Sequence, residues 1–134
     1  MRRRPGLLRV CCLALLAVGV WACSDDPSGR GTVTLTVQAG TPLGAAVVEI
    51  RGDGVLGAEP ITAGWAHLEL VAGGGEQAEM HRLVLVQDQE GTLSAELELE
   101  DVGAPLPTVS VVLASDGSDL PLASLAGVEA RVRR

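Results

Sequence analysis

TVTLTV at residues 32–37 is the stretch that decides the fold. Polar and apolar residues alternate at every position, and five of the six are β-branched threonines or valines, which strands prefer. Such alternation is typical of a β-strand with one face against a core. The same pattern returns in AVVEIR at residues 46–51. Together the two stretches predict five inward-facing side chains: Val33, Leu35, Val37, Val48 and Ile50.

Further alternating or apolar runs follow, separated by turn-forming residues such as those of 52–54. They are Trp65–Val71, Leu83–Val86, Leu93–Leu99, Val109–Leu113 and Val128–Val132, together with the ambiguous stretch 55–62. The fourth and fifth predicted strands are Leu83–Val86 and Leu93–Leu99, and the intervening turn residues predict that they form a hairpin. Two prolines make 102–108 a connection, and Leu120–Leu125 is compatible with a single helical turn.

These runs predict an all-β fold, a single antiparallel β-sandwich of seven or eight short strands over residues 32–134. Apolar residues make up 47% of the 134 residues, which is enough for a packed core. Trp65 is the only large ring in this region, so we expect it in the core. With two Trp and neither Phe nor Tyr, the chain has no row of rings on which bases or sugars could stack.

Residues 1–22 have the composition of a secretory signal peptide. Arginines at positions 2, 3, 4 and 9 precede an uncharged apolar run from Val10 to Ala22. A basic start followed by an apolar stretch of this length is typical of such signals. A membrane-spanning helix usually needs about 20 apolar residues, and the run is shorter than that.

The end of this segment, Val20-Trp21-Ala22-Cys23, resembles the lipobox of bacterial lipoproteins. The resemblance implies cleavage after Ala22 and a thioether-linked diacylglycerol on Cys23, with acyl chains such as palmitate. Trp21 departs from the pattern, since that slot usually holds a small or hydroxylated residue. Each buried acyl methylene contributes about 0.8 kcal/mol, so several chains together make a stable anchor. An uncleaved signal anchor and an ordinary secreted protein remain alternatives.

The other two cysteines, Cys11 and Cys12, lie within the signal segment, so a mature chain keeps only the lipid site and has no disulfide. Residues 23–31 are polar and contain Pro27, Gly29 and Gly31, which predicts a short tether between lipid and fold. By resemblance to the enterobacterial sorting pattern, Ser24 after the cysteine favours the outer membrane. The expected location is therefore the bacterial cell envelope.

The charge of the chain excludes one class of partner. The full sequence has 10 Arg and 17 acidic residues, a formal charge of −7. Loss of residues 1–22 removes four Arg and no acid, leaving six Arg against 17 acids, a formal charge of −11. A surface of this sign repels phosphate polymers, so nucleic acid is not expected as a partner.

The order of strands and turns resembles a family of surface modules. It runs from GTVTLTV (31–37) through AAVVEIRGDGV (45–55) and HRLVLVQDQEGTLSAELELEDV (81–102) to SLAGVEARV (124–132). This rhythm is similar to that of small cohesin-like or immunoglobulin-like modules on bacterial surface proteins. Cohesins bind dockerins, so the resemblance implies a docking partner. It supplies no binding residue.

Candidate catalytic residues are few. His67 and His81 are the only imidazoles, and the chain has no Gly-x-Ser-x-Gly elbow beside which either could act. If Trp65, His67 and Glu69 share a strand face, His67 approaches Glu69, an arrangement interpreted here as a solvated face. Zinc needs three or four convergent ligands, and no His-x-x-x-His or Glu-x-x-His spacing occurs. The sequence thus predicts no catalytic site, no metal site and no cofactor.

Acidic residues occur in two predicted turns and along one predicted strand. The turns are Asp88–Gly91 and Asp116–Asp119, and neither has the alternating ligands of a calcium loop, so side-chain bonding within the turn is the simpler interpretation. The acidic stripe consists of Glu96, Glu98, Glu100 and Asp101. A stripe of this kind keeps an exposed face soluble; contact with a basic partner is the alternative.

Two hypotheses follow. The favoured one is a lipid-anchored, non-enzymatic binding or scaffolding module of the cell envelope, with a protein or glycan partner. The rival is a small envelope enzyme or metal-binding accessory factor that uses His67, His81 and nearby acids.

Overall fold

A computed structural model describes residues 27–73 and 76–134. The predicted signal peptide, residues 1–22, and the predicted lipid site Cys23 lie outside the described residues. The described residues form eight β-strands: β1 (Gly31–Gln38), β2 (Leu43–Arg51), β3 (Val55–Pro60), β4 (Trp65–Ala72), β5 (Met80–Gly91), β6 (Leu93–Leu99), β7 (Thr108–Asp116) and β8 (Glu129–Arg133). Within these residues, no helix is long and apolar enough to cross a membrane.

The strands form two four-stranded antiparallel sheets. Sheet I has the order β3-β6-β1-β8, and sheet II has the order β4-β5-β2-β7. Of the seven connections between the described strands, six cross from one sheet to the other; only β4 and β5 follow each other within a sheet. The predicted antiparallel β-sandwich is therefore confirmed.

The core lies between the sheets and is built from alternate residues of the strands, as the period of two requires. All five side chains predicted to point inward from β1 and β2 are buried, as are the alternating apolar residues of β6. The buried apolar residues are Val33, Leu35, Val37, Leu43, Ala46, Val48, Ile50, Val55, Ala63, Leu83, Leu85, Leu93, Ala95, Leu97, Leu99, Val102 and Ala114.

The predicted hairpin between Leu83–Val86 and Leu93–Leu99 is wrong. The first run belongs to β5, which pairs with β2 and β4 in sheet II. The second is β6, which pairs with β1 and β3 in sheet I. The predicted turn at Asp88–Gly91 is part of β5, which continues to Gly91. The chain then passes from one sheet to the other through Thr92.

Two smaller predictions are also wrong. Trp65 is not a core residue: it lies on the outer side of β4 and is 52% exposed. Leu120–Leu125 does not form a helical turn. Instead, Pro121 forms a β-bridge with Ser115 at the end of β7. Proline within the segment explains this, because it removes a backbone donor and fixes φ.

The two ends of the sandwich differ in what they carry. At one end, the backbone N–H of Val102 donates to the carbonyl of Gly29, and Arg134 donates to the carbonyls of Val102 and Ala104. We call this the proximal end, because the described chain begins there at Pro27. The opposite, distal end carries the connections 39–42, 61–64 and 117–128.

Candidate functional site

The outer faces of the two sheets have different chemistry. The outer face of sheet I is polar, with threonines of β1 facing acids of β6 and arginines of β8. The register pairs Thr34 with Glu96 on one side and with Arg133 on the other. This is the usual composition of a solvated sheet face.

The outer face of sheet II instead carries apolar side chains on all four strands. The register places Trp65 of β4 opposite Val86 of β5, and His67 opposite Val84. Val84 lies in turn opposite Val47 of β2, and Val47 lies opposite Leu113 of β7. A register shift at this point leaves Val112 as an extra residue on β7, where it is also exposed. We call this set the apolar band: Trp65, Val86, Val84, Val47, Leu113 and Val112.

The band is open to solvent. Its two outermost members, Trp65 and Leu113, are 52% and 53% exposed, while Val47 and Val84 between them are half-buried by their neighbours. Single exposed apolar residues are ordinary on a protein surface, whereas a contiguous row across a sheet is typical of an interaction site. The band crosses the middle of the sheet, because Val47 is the central residue of β2, and its Trp65 end lies at the distal start of β4.

A row of charged side chains crosses the same face on the proximal side of the band. Arg82 of β5 lies between two glutamates. Its Nη2 is 3.7 Å from Oε1 of Glu49 on β2, and its Nη1 is 4.0 Å from Oε1 of Glu69 on β4. Arg51 adds a further contact to Glu49 at 3.6 Å. Exposed ion pairs of this length contribute little stability. Their effect is to mark a polar boundary for the apolar band.

The two histidines lie on opposite faces of sheet II. His67 is exposed on the outer face, where its ring stacks on Trp65 with centroids 5.7 Å apart and an angle of 12° between planes. His81 faces the core and is 6% exposed; its Nδ1 has no hydrogen-bond partner among the described residues. One sheet therefore separates the two imidazoles, and the structure does not bring them together at one site.

The acids of the predicted turns and of the stripe lie in separate parts of the structure. Asp116 Oδ1 accepts hydrogen bonds from the backbone N–H groups of Ser118 (2.9 Å) and Leu120 (3.1 Å), as expected for a side chain that stabilises a turn. Glu96 and Glu98 lie on the outer face of sheet I, where Glu96 is paired in register with Glu59 of β3. Within residues 27–73 and 76–134, no three His, Cys, Asp or Glu side chains converge as metal ligands would.

Asp101 and Glu98 connect the start of the described chain to the domain. Asp101 Oδ1 accepts hydrogen bonds from the backbone N–H groups of Gly29 and Gly103, both at 2.8 Å. These donors hold the pKa of the Asp101 carboxyl below its ordinary value, because they favour the charged form. Arg30 Nε donates to Glu98 Oε1 at 2.6 Å and lowers the pKa of that carboxyl in the same way. The two contacts fix the point at which the chain enters the sandwich.

Comparisons with known proteins did not assign the chain to a family: no family model, no curated protein and no solved structure matched it. Among the described residues, the apolar band is the surface feature that we take as the candidate site.

Sequence reasoning missed this band, although a signal for it was present. The runs VV at 47–48, LVLV at 83–86 and VVL at 111–113 are apolar at consecutive positions. A strand with only one buried face alternates, so consecutive apolar residues indicate a strand that is apolar on both faces.

Proposed function

We propose that this protein is a lipid-anchored, non-enzymatic binding module of the bacterial cell envelope, and that its apolar band binds a protein partner. The observation that carries the proposal is the contrast between the two outer faces, one polar and one crossed by the band. Leaving Trp65 and Leu113 half in water costs solvation free energy, and a partner that covers them recovers it.

The composition of the band favours protein over glycan. Sugars bind best on aromatic rings, and the rings on this face are confined to Trp65 and His67 at one margin. The remaining members are aliphatic, with the half-buried Val47 and Val84 at the centre. An aliphatic centre bounded by charged side chains is the usual composition of a protein–protein interface.

The anchor part of the proposal rests on the Val20–Cys23 lipobox and on the geometry of chain entry. Pro27 is four residue steps after Cys23, a distance of at most about 14 Å in extended chain. The lipid would therefore hold the proximal end near the bilayer. Because the chain enters at the proximal end of sheet I, while the band crosses the middle of the outer face of sheet II, an anchor at Cys23 leaves the band uncovered. The resemblance of the order of strands and turns to that of cohesin-like modules also favours a docking role.

The anchor is tested by the variant Cys23→Ala together with mass spectrometry of the mature amino terminus. We expect wild-type protein to fractionate with membranes and to carry an acylated Cys23, and Cys23→Ala to be released. Wild-type protein that lacks acyl groups and is found in the soluble fraction would contradict the anchor.

The binding face is tested by placing a photo-crosslinking residue at Leu113 in cells that express the full chain. Leu120 is the matched control, because it is also an exposed leucine (62%) but lies outside the band. We expect one defined protein adduct from Leu113, none from Leu120, and loss of the adduct when Trp65→Ser is added. Equal adducts from both positions, or none from Leu113, would refute this use of the face.

A further inference from the structure

The sandwich has four edge strands, and three of them carry features that discourage pairing with another strand. In β3 these are its six-residue length, a register shift after Val55 and a terminal Pro60. β7 has a register shift, and its end is covered by the bridge to Pro121. β8 has five residues, with Arg131 and Arg133 on its outer side.

The fourth edge strand, β4, lacks these features over most of its length. It extends over eight residues, WAHLELVA, without proline, and its register shift comes only after Leu70. It pairs with β5 on one side and with no other strand of the described residues. Its other side therefore presents a row of backbone hydrogen-bonding groups suited to a further strand.

Leu70 is a second sign that this edge is incomplete. Its register partner on β5 is the buried His81, so Leu70 belongs to the inner, core-facing side of the strand. It is nevertheless 59% exposed. An inward-facing leucine with more than half of its surface in water lacks a neighbour on the open side of the sandwich.

We propose that the β4 edge pairs with the β4 edge of a second copy of this chain, antiparallel and centred on Leu68. Antiparallel pairing must place outward residues opposite outward residues. With Leu68 opposite Leu68, each His67 lies opposite a Glu69 of the second copy, and each Ala66 lies opposite a Leu70. The segment AHLEL is thus complementary to itself.

Two neighbouring registers also place outward residues opposite outward residues, but the residue pairs that they create are less favourable. A shift in one direction places Glu69 opposite Glu69, a like-charge pair that destabilises a sheet. A shift in the other direction places Glu69 opposite Trp65 and leaves Leu70 uncovered. The register centred on Leu68 brings an imidazole to each carboxylate and covers Leu70 with apolar side chains.

The pair creates one continuous eight-stranded sheet whose twofold axis is perpendicular to sheet II. Both apolar bands then face the same side, so the pair offers two copies of the binding face. The paired segment is short, so we expect an association at the weak end of the range for protein interfaces. The pairing uses the folded domain alone and depends neither on lipid at Cys23 nor on a partner at the apolar band.

Disulfide trapping in the full chain tests the register. His67 and Glu69 are exposed, and opposite residues of antiparallel strands are close enough for a disulfide after small adjustment. The double variant His67→Cys/Glu69→Cys should give a covalent dimer, whereas each single variant should stay at the wild-type background set by the native cysteines. Co-expression of the two single variants should restore the dimer.

The matched control is Glu129→Cys/Arg131→Cys, which has the same spacing on the edge strand β8 and should give no dimer above background. Dimers from this control or from either single variant, in amounts equal to those from the double variant, would overturn the proposal.

A second measurement does not depend on cysteine. His67→Glu places two like-charge pairs in the interface and should weaken self-association of the full chain about five-fold. The exchange His67→Glu/Glu69→His should restore it. Sedimentation equilibrium measures both, with circular dichroism to show that each variant remains folded. Unchanged self-association in His67→Glu would overturn the proposal.

Discussion

Two leucines, one on the inner face of sheet I and one on the outer face of sheet II, provide a matched test of which sheet faces are core and which are surface. Leu35 of β1 is fully buried, while Leu113 of β7 is 53% exposed. Leu35→Ala removes buried methyl groups and leaves a cavity, which costs roughly 2–5 kcal/mol. Leu113→Ala loses only the part of the side chain that is already in contact with protein and leaves no cavity, so we expect a cost of about 1 kcal/mol.

Urea unfolding of the full chain, followed by far-ultraviolet circular dichroism, measures both values. A domain of this size has a free energy of unfolding of about 5–15 kcal/mol, and the midpoint shift is proportional to the change in that free energy, so Leu35→Ala should lower the midpoint roughly two to five times as far as Leu113→Ala. A cost for Leu113→Ala as large as that for Leu35→Ala would refute the assignment of faces. It would also remove the basis for a binding role, because the band would then be required for folding.

The remaining predictions concern a titrating contact and a buried imidazole. Because hydrogen bonds lower the pKa of Asp101 in the folded state, its stabilising contribution is fully present above the ordinary value of 3.8 and is lost as pH falls through the lower folded pKa. Asp101→Asn keeps an acceptor but cannot titrate, so its stability should fall less steeply than wild type in acid denaturation below that value; equal slopes would contradict the role of Asp101. His81→Leu removes a buried ring nitrogen that has no partner among the described residues, and should raise the free energy of unfolding by about 1 kcal/mol in urea. A loss of stability in this variant would show that the imidazole makes a favourable contact.

Alternation along the chain predicted which side chains of a strand are buried. It placed Val33, Leu35 and Val37 in the core, and all three are buried. This works because successive side chains of a strand point to opposite faces, so a strand with one buried face has an apolar residue at every second position. No knowledge of the neighbouring strands is needed.

Alternation could not assign a strand to a sheet. The runs of β5 and β6 are close in sequence and both have a buried face, which is equally compatible with a hairpin and with strands on opposite sides of one core. The structure adopts the second arrangement. The choice depends on which strands lie beside each run, and those partners are far away in sequence: Gly31 of β1, for example, is paired with Leu99 of β6.

The candidate site was harder to predict than the fold for a related reason. His67 and Trp65 were identified as residues that could share a strand face, and they do stack there. The apolar band, in contrast, depends on lateral register among four strands. Val47, Val84 and Leu113 become neighbours only when β2 lies between β5 and β7.

The six crossings between sheets determine when the domain can fold. β1 pairs only with β6 and β8, and β3 pairs with β6, so no two strands of sheet I can meet until residues 93–99 have been made. Pairings between such distant segments give a high contact order, which slows folding. In a chain that emerges amino end first, β2, β4 and β5 of sheet II can therefore pair once residue 91 has been made, whereas sheet I and the core between the sheets form only later.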